Sequence, residues 1–234
     1  MKRSALMSHV DHTFLSPTAR WQDIQRLCDD ALTFRTASIC IPPSYVRAAA
    51  YYLRRRKEQL GIPDEERPVV CTVIGFSHGY NTTAVKAFEA ADAVKNGARE
   101  LDMVIDQGLL KDEKWEELEA QINAVKKAAR EAAENFDPLL KVIVETANLT
   151  PEELAEATKA VDRSDAEYIK TSTGFGDHGA TFEDMEIMKA NITGDTKIKA
   201  AGGIKSLEDA EKFLKLGAER LGTSRVVKLA KEGD

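Results

Sequence analysis

The sequence predicts an α/β protein folded as one (βα)8 TIM barrel. Strand-like and helix-like stretches alternate from end to end, and the strand-like stretches number eight. Alternation favours a parallel sheet, and eight repeats favour its closure into a barrel. No Pro/Gly/Ser-rich linker divides the chain, which suits a single domain over residues 1–234. A doubly wound open sheet is the alternative, although no Gly-x-Gly-x-x-Gly motif for a dinucleotide follows any strand.

The predicted strands are short apolar runs, each followed by a helical pattern or by the C-terminal stretch. They cover residues 10–15, 37–41, 69–75, 100–105, 139–145, 168–171, 197–201 and 220–223. The weakest are the first, which contains Asp11 and His12, and the short last one.

Start signals define several helices. Ser16-Pro17 predicts a helix beginning directly after the first strand. Thr150 and Ser206 each open a helix as an N-cap, with an acidic residue three positions later. The segment 112–135 carries apolar residues at helical spacing. Asn81 is expected to cap a helix whose inward face contains Ala84, Val85, Phe88, Ala91 and Val94.

Composition excludes several classes of function. The chain has 43% hydrophobic residues, 31% charged residues and a net charge of −6, which offers no broad attraction for nucleic acid or for an anionic membrane. No apolar stretch is long enough for a signal peptide or a membrane span, and Cys28, Cys40 and Cys71 lie far apart in sequence, without metal-type or redox-type spacing. A reduced cytoplasmic protein is therefore expected. The four histidines show no zinc-site spacing, so we expect neither a metal nor a cofactor.

Two lysines stand at the ends of consecutive predicted strands, Lys170 and Lys199. In a barrel, the carboxyl ends of the strands form the active site. A second ammonium close by, together with desolvation, favours the neutral and nucleophilic form of a lysine amine. The alternative is that such lysines extend to solvent, and we expect this of Lys141 and Lys197 at strand starts.

Asp102 lies within an apolar run, where an unpaired carboxylate is costly. A lysine partner would keep it ionised and make a proton-relay pair, and a purely structural ion pair is the alternative.

The loops after the last strands are candidates for a phosphate site, because backbone N–H groups there often bind phosphate. Gly203, Gly222 and Ser224 suit this role, either Lys205 or Arg225 is expected to add charge, and ordinary turn glycines are the alternative.

Six motifs resemble those of the deoxyribose-phosphate aldolase family, in the family's order and over nearly the whole chain. They are Val-Asp-His-Thr-Phe-Leu-Ser-Pro, Ser-Ile-Cys-Ile-Pro-Pro, Val-Ile-Gly-Phe, Glu-Leu-Asp-Met-Val-Ile, Tyr-Ile-Lys-Thr-Ser-Thr-Gly-Phe and Ile-Lys-Ala-Ala-Gly-Gly-Ile. The resemblance implies a (βα)8 class I aldolase without a cofactor. It implies reversible cleavage of 2-deoxy-D-ribose 5-phosphate to D-glyceraldehyde 3-phosphate and acetaldehyde, in a homodimer or homotetramer.

The resemblance also implies a role for individual residues. Lys170 matches the family's Schiff-base lysine, Lys199 the second lysine that keeps the first amine neutral, and Asp102 the acid that relays protons. The family's phosphate contacts fall on Gly174, Gly203, Ile204, Gly222 and Ser224, and Thr13 and Thr171 match positions that line the sugar. Arg225 departs from the family pattern, which usually has serine there. Another Schiff-base aldolase with a different donor, a metal-dependent aldolase and a non-catalytic sugar-phosphate-binding barrel are the other hypotheses.

Overall fold

Eight parallel strands close into a barrel in which neighbours in the chain are also neighbours in space. The computed structural model describes residues 2–233, so Met1 and Asp234 of the expected 1–234 domain lie outside the described residues. The strands are β1 (Val10–Thr13), β2 (Ser38–Ile41), β3 (Val69–Ile74), β4 (Glu100–Val104), β5 (Leu139–Ile143), β6 (Tyr168–Lys170), β7 (Lys197–Ala201) and β8 (Ala218–Thr223). Because β8 pairs with β1, the barrel prediction is confirmed and the open-sheet alternative is wrong.

Helices surround the barrel, and each strand is followed by at least one. They are α1 (Arg3–Met7), α2 (Trp21–Phe34), α3 (Val46–Leu60), α4 (Thr83–Lys95), α5 (Gln107–Lys111), α6 (Trp115–Ala132), α7 (Pro151–Arg163), α8 (Phe182–Asn191), α9 (Leu207–Lys215) and α10 (Arg225–Glu232). Within residues 2–233, none of these helices combines the length and the apolar composition that a membrane crossing requires.

Strand residues alternate between two environments, because successive side chains point to opposite faces of a strand. One set packs against the helices in the main hydrophobic core and includes Ile39, Leu101, Val142, Ile169 and Ile198. The other set faces the inside of the barrel and includes the buried charged residues Asp11, Glu100, Asp102, Lys141 and Lys199. The sequence pattern therefore decides which side chains meet in the barrel centre.

The cap predictions for two helices are confirmed. The Thr150 hydroxyl accepts a hydrogen bond from the backbone N–H of Glu153, and the Glu153 carboxylate accepts one from the backbone N–H of Thr150. Helix α7 begins there. Ser206 caps α9 in the same way with Asp209. These reciprocal bonds satisfy N–H groups that the first turn of a helix leaves unpaired.

Three expectations about helices are wrong. The cap residue of α4 is Thr82 and not Asn81, whose side-chain amide donates to Glu89. Helix α2 begins at Trp21 and not at Ser16, because the Ser16 hydroxyl closes a short turn by accepting from the N–H of Thr18. In α4, Val85 and Phe88 are exposed, at 45% and 74%. Val94 is buried as expected, but the rest of the face that α4 buries against α6 carries Lys86, Ala90 and Ala93, and the Lys86 amine donates to Gln121 on α6.

Candidate active site

Lys170, Lys199 and Asp102 meet inside the carboxyl end of the barrel. Lys170 is the last residue of β6 and pairs in register with Lys199 of β7, while Asp102 lies in the middle of β4. The two Nζ atoms each lie 2.6 Å from the same oxygen, Oδ2 of Asp102. All three side chains are buried. The structure thus brings together the three residues that the sequence marked as catalytic candidates.

Lys141 is a member of this group that the sequence analysis misplaced. It was expected to extend to solvent, yet it is fully buried, with Nζ 3.0 Å from Oδ1 of Asp102 and 2.7 Å from Oε2 of Glu100. The reason is register: Lys141 is the third residue of β5 and lies opposite Asp102 on the neighbouring strand. The same expectation is correct for Lys197, whose side chain is 48% exposed.

Deeper in the barrel, further charges extend the group. Arg220 of β8 donates to Glu100 and, at 2.5 Å, to Oδ1 of Asp11. Asp11 in turn lies 2.5 Å from the Nζ atom of Lys199. Three acidic and four basic side chains form this barrel charge cluster: Asp11, Glu100, Asp102, Lys141, Lys170, Lys199 and Arg220.

The cluster sets the ionisation of its members. Burial on its own would raise the pKa of Asp102, but Lys141, Lys170 and Lys199 outweigh burial and hold that pKa well below its usual range. Burial would lower the pKa of Lys199, but Asp102 and Asp11 outweigh it, so that pKa is raised. Asp102 is therefore an anion and Lys199 a cation at neutral pH.

A cavity of about 230 Å³ opens beside Lys170 at the carboxyl ends of β6, β7 and β8. It is lined by most of the residues expected to bind the substrate, namely Thr13, Gly174, Gly203, Ile204, Gly222, Ser224 and Arg225. Gly203 has a φ of +72°, and a side chain there would come within 2.8 Å of the Ala180 carbonyl. Only glycine fits this turn, which leaves backbone groups open to the cavity.

Thr171 does not line this cavity. Its buried hydroxyl accepts from the N–H of Ala201 at 3.0 Å, and it donates to the carbonyl of the same residue at 3.2 Å. Thr171 thus ties the end of β6 to the end of β7, the strand that carries Lys199. Asp102 and Lys199 also lie below the cavity and do not border it.

Glu145 is a site residue that the sequence analysis did not single out. It is 5% exposed, has a positive φ of 54°, and accepts from the backbone N–H of Thr173 at 3.2 Å and from the Thr173 hydroxyl. Thr173 and Gly174 line the cavity, so Glu145 fixes the loop that forms one wall. The available signal was a carboxylate ending an apolar strand, the same signal that pointed to Asp102.

Cys40 and Cys71 are free cysteines that lie far apart in the sequence but close together in the structure. They lie opposite each other on β2 and β3 with no solvent exposure, and both sulfur atoms lie within 4.8 Å of each other and of an oxygen of Asp102. Cys28 lies apart from them on α2. Both Cys40 and Cys71 are buried in a small apolar cluster with Val73.

Comparison with known proteins agrees with this geometry. Residues 5–223 match the model of the DeoC/LacD family aldolases. A protein from Streptococcus agalactiae named deoxyribose-phosphate aldolase is 50% identical over 231 residues, covering 99% of this chain and 96% of the relative. One from Streptococcus pyogenes with the same name is also 50% identical, with the same coverage.

Solved structures show the same fold. A putative deoxyribose-phosphate aldolase from Coccidioides immitis matches with a TM-score of 0.88 and 36% identity, over 100% of this chain and 87% of that one. A deoxyribose phosphate aldolase from Aeropyrum pernix, described as a unique tetrameric structure, matches with a TM-score of 0.84 and 27% identity, over 99% and 92%. The barrel and its charged centre define an aldolase-type enzyme. The chain belongs to the DeoC/LacD aldolase family.

Proposed function

We propose that this protein is a class I deoxyribose-phosphate aldolase, which cleaves 2-deoxy-D-ribose 5-phosphate reversibly into D-glyceraldehyde 3-phosphate and acetaldehyde. The observation that carries the proposal is the sharing of Asp102 Oδ2 by the amines of Lys170 and Lys199, each at 2.6 Å. Of these two amines, that of Lys170 borders the cavity and is placed to meet a substrate. The names of the 50% identical relatives support the choice of substrate.

Charge balance supports Lys170 as the nucleophile. Although burial opposes ionisation, neighbouring carboxylates raise the pKa of Lys141, Lys199 and Arg220, so these three remain cations. The cluster offers three acidic side chains to balance them. Lys170 is the basic group of the cluster that remains after these pairs are formed, and it borders the cavity, where a nucleophilic amine is required.

In the synthetic direction, Lys170 attacks the carbonyl carbon of acetaldehyde, and loss of water leaves an imine. Removal of a proton from the methyl carbon gives an enamine, which attacks the aldehyde carbon of glyceraldehyde 3-phosphate. Asp102 and Lys199 lie within hydrogen-bond distance of each other and exchange the protons of these steps. Hydrolysis of the product imine frees Lys170, and the imine nitrogen serves as the electron sink.

The glycine loops are the proposed phosphate site. The N-terminus of α10, with Ser224 as its cap residue and Arg225 as its first residue, borders the cavity together with the Gly203 turn. A helix N-terminus carries unpaired N–H groups and a positive dipole end, both of which favour an anion. Arg225 adds a full positive charge where the family usually has serine. A phosphate bound here would place the sugar chain toward Lys170.

The proposed enzyme acts in the cytoplasm as a homo-oligomer. The relative from Aeropyrum pernix is described as a tetramer, which supports a dimer or a tetramer here. Light scattering on a sizing column measures the mass directly, and a monomer of 25.8 kDa would contradict this part of the proposal.

Purified protein tests the reaction through acetaldehyde release from 2-deoxy-D-ribose 5-phosphate. We expect turnover that persists in EDTA, and, in the reverse direction, use of acetaldehyde in preference to dihydroxyacetone as donor. Preference for dihydroxyacetone would instead indicate a Schiff-base aldolase for a longer donor. Loss of activity in EDTA would indicate a metal-dependent aldolase. Saturable binding of the phosphate ester without turnover would indicate a non-catalytic barrel.

A further inference from the structure

Cys40 and Cys71 are placed as a pair although 31 positions separate them in the chain. They occupy matching positions on the neighbouring parallel strands β2 and β3. Neighbouring strands lie about 4.8 Å apart, which is inside the range of about 4.4–6.8 Å that Cα atoms of disulfide-linked cysteines span. With both sulfur atoms inside the barrel and within 4.8 Å of each other, a disulfide requires little backbone movement.

The surroundings of the two thiols suit oxidation. The Nζ atom of Lys141 lies 3.5 Å from the sulfur of Cys71, and the Cys40 sulfur lies 3.9 Å from Asp102. The neighbouring Cys71 thiol, and the nearby charges of Lys199 and Lys170, outweigh burial and lower the pKa of Cys40. Burial raises the pKa of Cys71. Such a pair contains one sulfur that loses its proton more readily than the other.

A small oxidant has a short path to this pair. Cys40, Cys71 and Val73 form a separate apolar cluster inside the barrel, covered by the partly exposed side chains of Leu15 and Phe76. Leu15, Val73 and Phe76 also line a cavity of about 540 Å³ that opens at the surface. The thiols thus lie one layer of side chains below this cavity.

We propose that Cys40 and Cys71 are a thiol pair that hydrogen peroxide converts to a disulfide, switching off the aldolase reversibly. The Cys40 sulfur attacks one peroxide oxygen, the O–O bond breaks, and the departing hydroxide takes a proton to leave as water. The resulting sulfenic acid is attacked by the sulfur of Cys71, the S–O bond breaks, and a second water leaves. The two sulfur atoms are together oxidised by two electrons, and the peroxide is reduced to two waters.

The loss of activity follows from the contacts of Cys71. Its thiol donates to Oδ1 of Asp102 at 3.3 Å, and its sulfur accepts from Lys141. A disulfide removes the S–H donor and draws the sulfur toward Cys40. Asp102 then loses one of its hydrogen-bond partners, and its carboxylate moves relative to the amines of Lys170 and Lys199. Displacement of a catalytic group by about 1 Å costs up to about a hundredfold in rate. This step rests on the proposed function, whereas formation of the disulfide does not.

The test treats reduced wild-type protein with hydrogen peroxide, alkylates the remaining thiols, and maps the peptides by mass. We expect a peptide linking Cys40 to Cys71 that is about 2 Da lighter than the sum of its reduced parts, with Cys28 still alkylated. Retro-aldol activity should fall about tenfold or more and return with dithiothreitol. Cys28 is the internal control, because burial raises its pKa to about 12.

Variants separate the possible outcomes. Cys28→Ala should keep the full response to peroxide, while Cys40→Ser and Cys71→Ser should each form no linked peptide. The proposal would be overturned if both thiols stayed free after treatment, if a sulfinic acid formed without a linked peptide, or if the bridge went to Cys28. A linked form with unchanged activity would overturn it as well. Reduced protein with no turnover at all would refute the proposed aldolase function instead, and the linked peptide would still be observable.

Discussion

Lys141 and Asp102 lie opposite each other on neighbouring strands inside the barrel, with the lysine Nζ atom 3.0 Å from the Oδ1 atom of Asp102. The contact makes Lys141 a direct neighbour of the proposed proton relay. It also shows that Asp102 is bounded by three lysines, and not only by the two that end β6 and β7.

Removing Lys141 should therefore destabilise the fold. Lys141→Met removes the buried counter-charge at Oδ1 of Asp102 and leaves Glu100 with Arg220 as its partner, and we expect the free energy of unfolding to fall by about 3 kcal/mol. Urea denaturation at pH 7 measures this. Lys197→Met, at an exposed lysine two strands away, is the matched control and should stay within about 0.5 kcal/mol of wild type. Equal effects of the two substitutions would show that Lys141 is not a required counter-charge.

Lys199→Leu should slow catalysis. Without the Lys199 amine, Oδ2 of Asp102 loses one of the two amines that lie 2.6 Å from it, and the proposed proton relay loses a member. We expect turnover at pH 7 to fall about a hundredfold. Steady-state rates of retro-aldol cleavage measure the ratio to wild type. Wild-type activity at neutral pH would contradict the proposed role of Lys199.

Glu145→Gln should weaken binding of the phosphorylated substrate more than it slows the chemistry. The neutral amide is a weaker acceptor for the Thr173 N–H and hydroxyl, so the Gly174 loop loses its fixed position. A weakened charged hydrogen bond corresponds to a rise in KM of about tenfold, with kcat changed by less than about threefold. Glu152→Gln, at an exposed position on α7, is the control. A fall in kcat with unchanged KM would show that Glu145 acts in the chemical step and not in phosphate binding.

Lys86 provides a stability test outside the active site. Burial lowers its pKa from the ordinary 10.5 to about 8, with Asp106 and Glu89 opposing this only in part. The unfolded chain then binds the proton more tightly than the folded one, so stability rises as the pH goes from about 8 to about 10.5. Lys86→Met should stabilise the protein by about 2 kcal/mol at pH 7, once the lost bond to Gln121 is counted.

The gain from Lys86→Met should shrink across that pH window, because the wild-type lysine becomes neutral there. Denaturation at pH 7 and at about pH 10 measures the difference. Lys95→Met, an exposed position on the same helix, should show no such trend. If Lys86→Met lowers the free energy of unfolding equally at both pH values, then Lys86 is required as the hydrogen-bond partner of Gln121 and carries no buried charge.

The barrel and its three central charges could be predicted because each signal is local in the sequence. Strands and helices alternate visibly, and Lys170, Lys199 and Asp102 are charges within or ending apolar runs, where burial without a partner is costly. The predicted bounds of the strands were less accurate, because β1 ends at Thr13 and β8 begins at Ala218. Helix caps such as Thr150 could be predicted because the two residues that form the cap are three positions apart in the sequence.

What the sequence did not show depends on contacts between distant segments. The burial of Lys141 follows from its register opposite Asp102, and the pairing of Cys40 with Cys71 follows from the register of β2 with β3. A strand pattern predicts which side chains share a face of the sheet. It does not predict which charged residues from other strands will surround a buried lysine. Phe88 was misassigned because α4 has two plausible faces, and packing against α6 selected the one with small side chains.

The most direct test of the central claim is reduction of the protein with borohydride in the presence of acetaldehyde, followed by peptide mass mapping. Reduction of the imine should leave a single ethyl group, about 28 Da, on Lys170. Lys199 and Lys141, which lie on either side of the same carboxylate, should remain unmodified. Lys170→Ala should give neither adduct nor turnover. An adduct on another lysine, or none in enzyme that is active, would contradict the assignment of Lys170 as the Schiff-base residue.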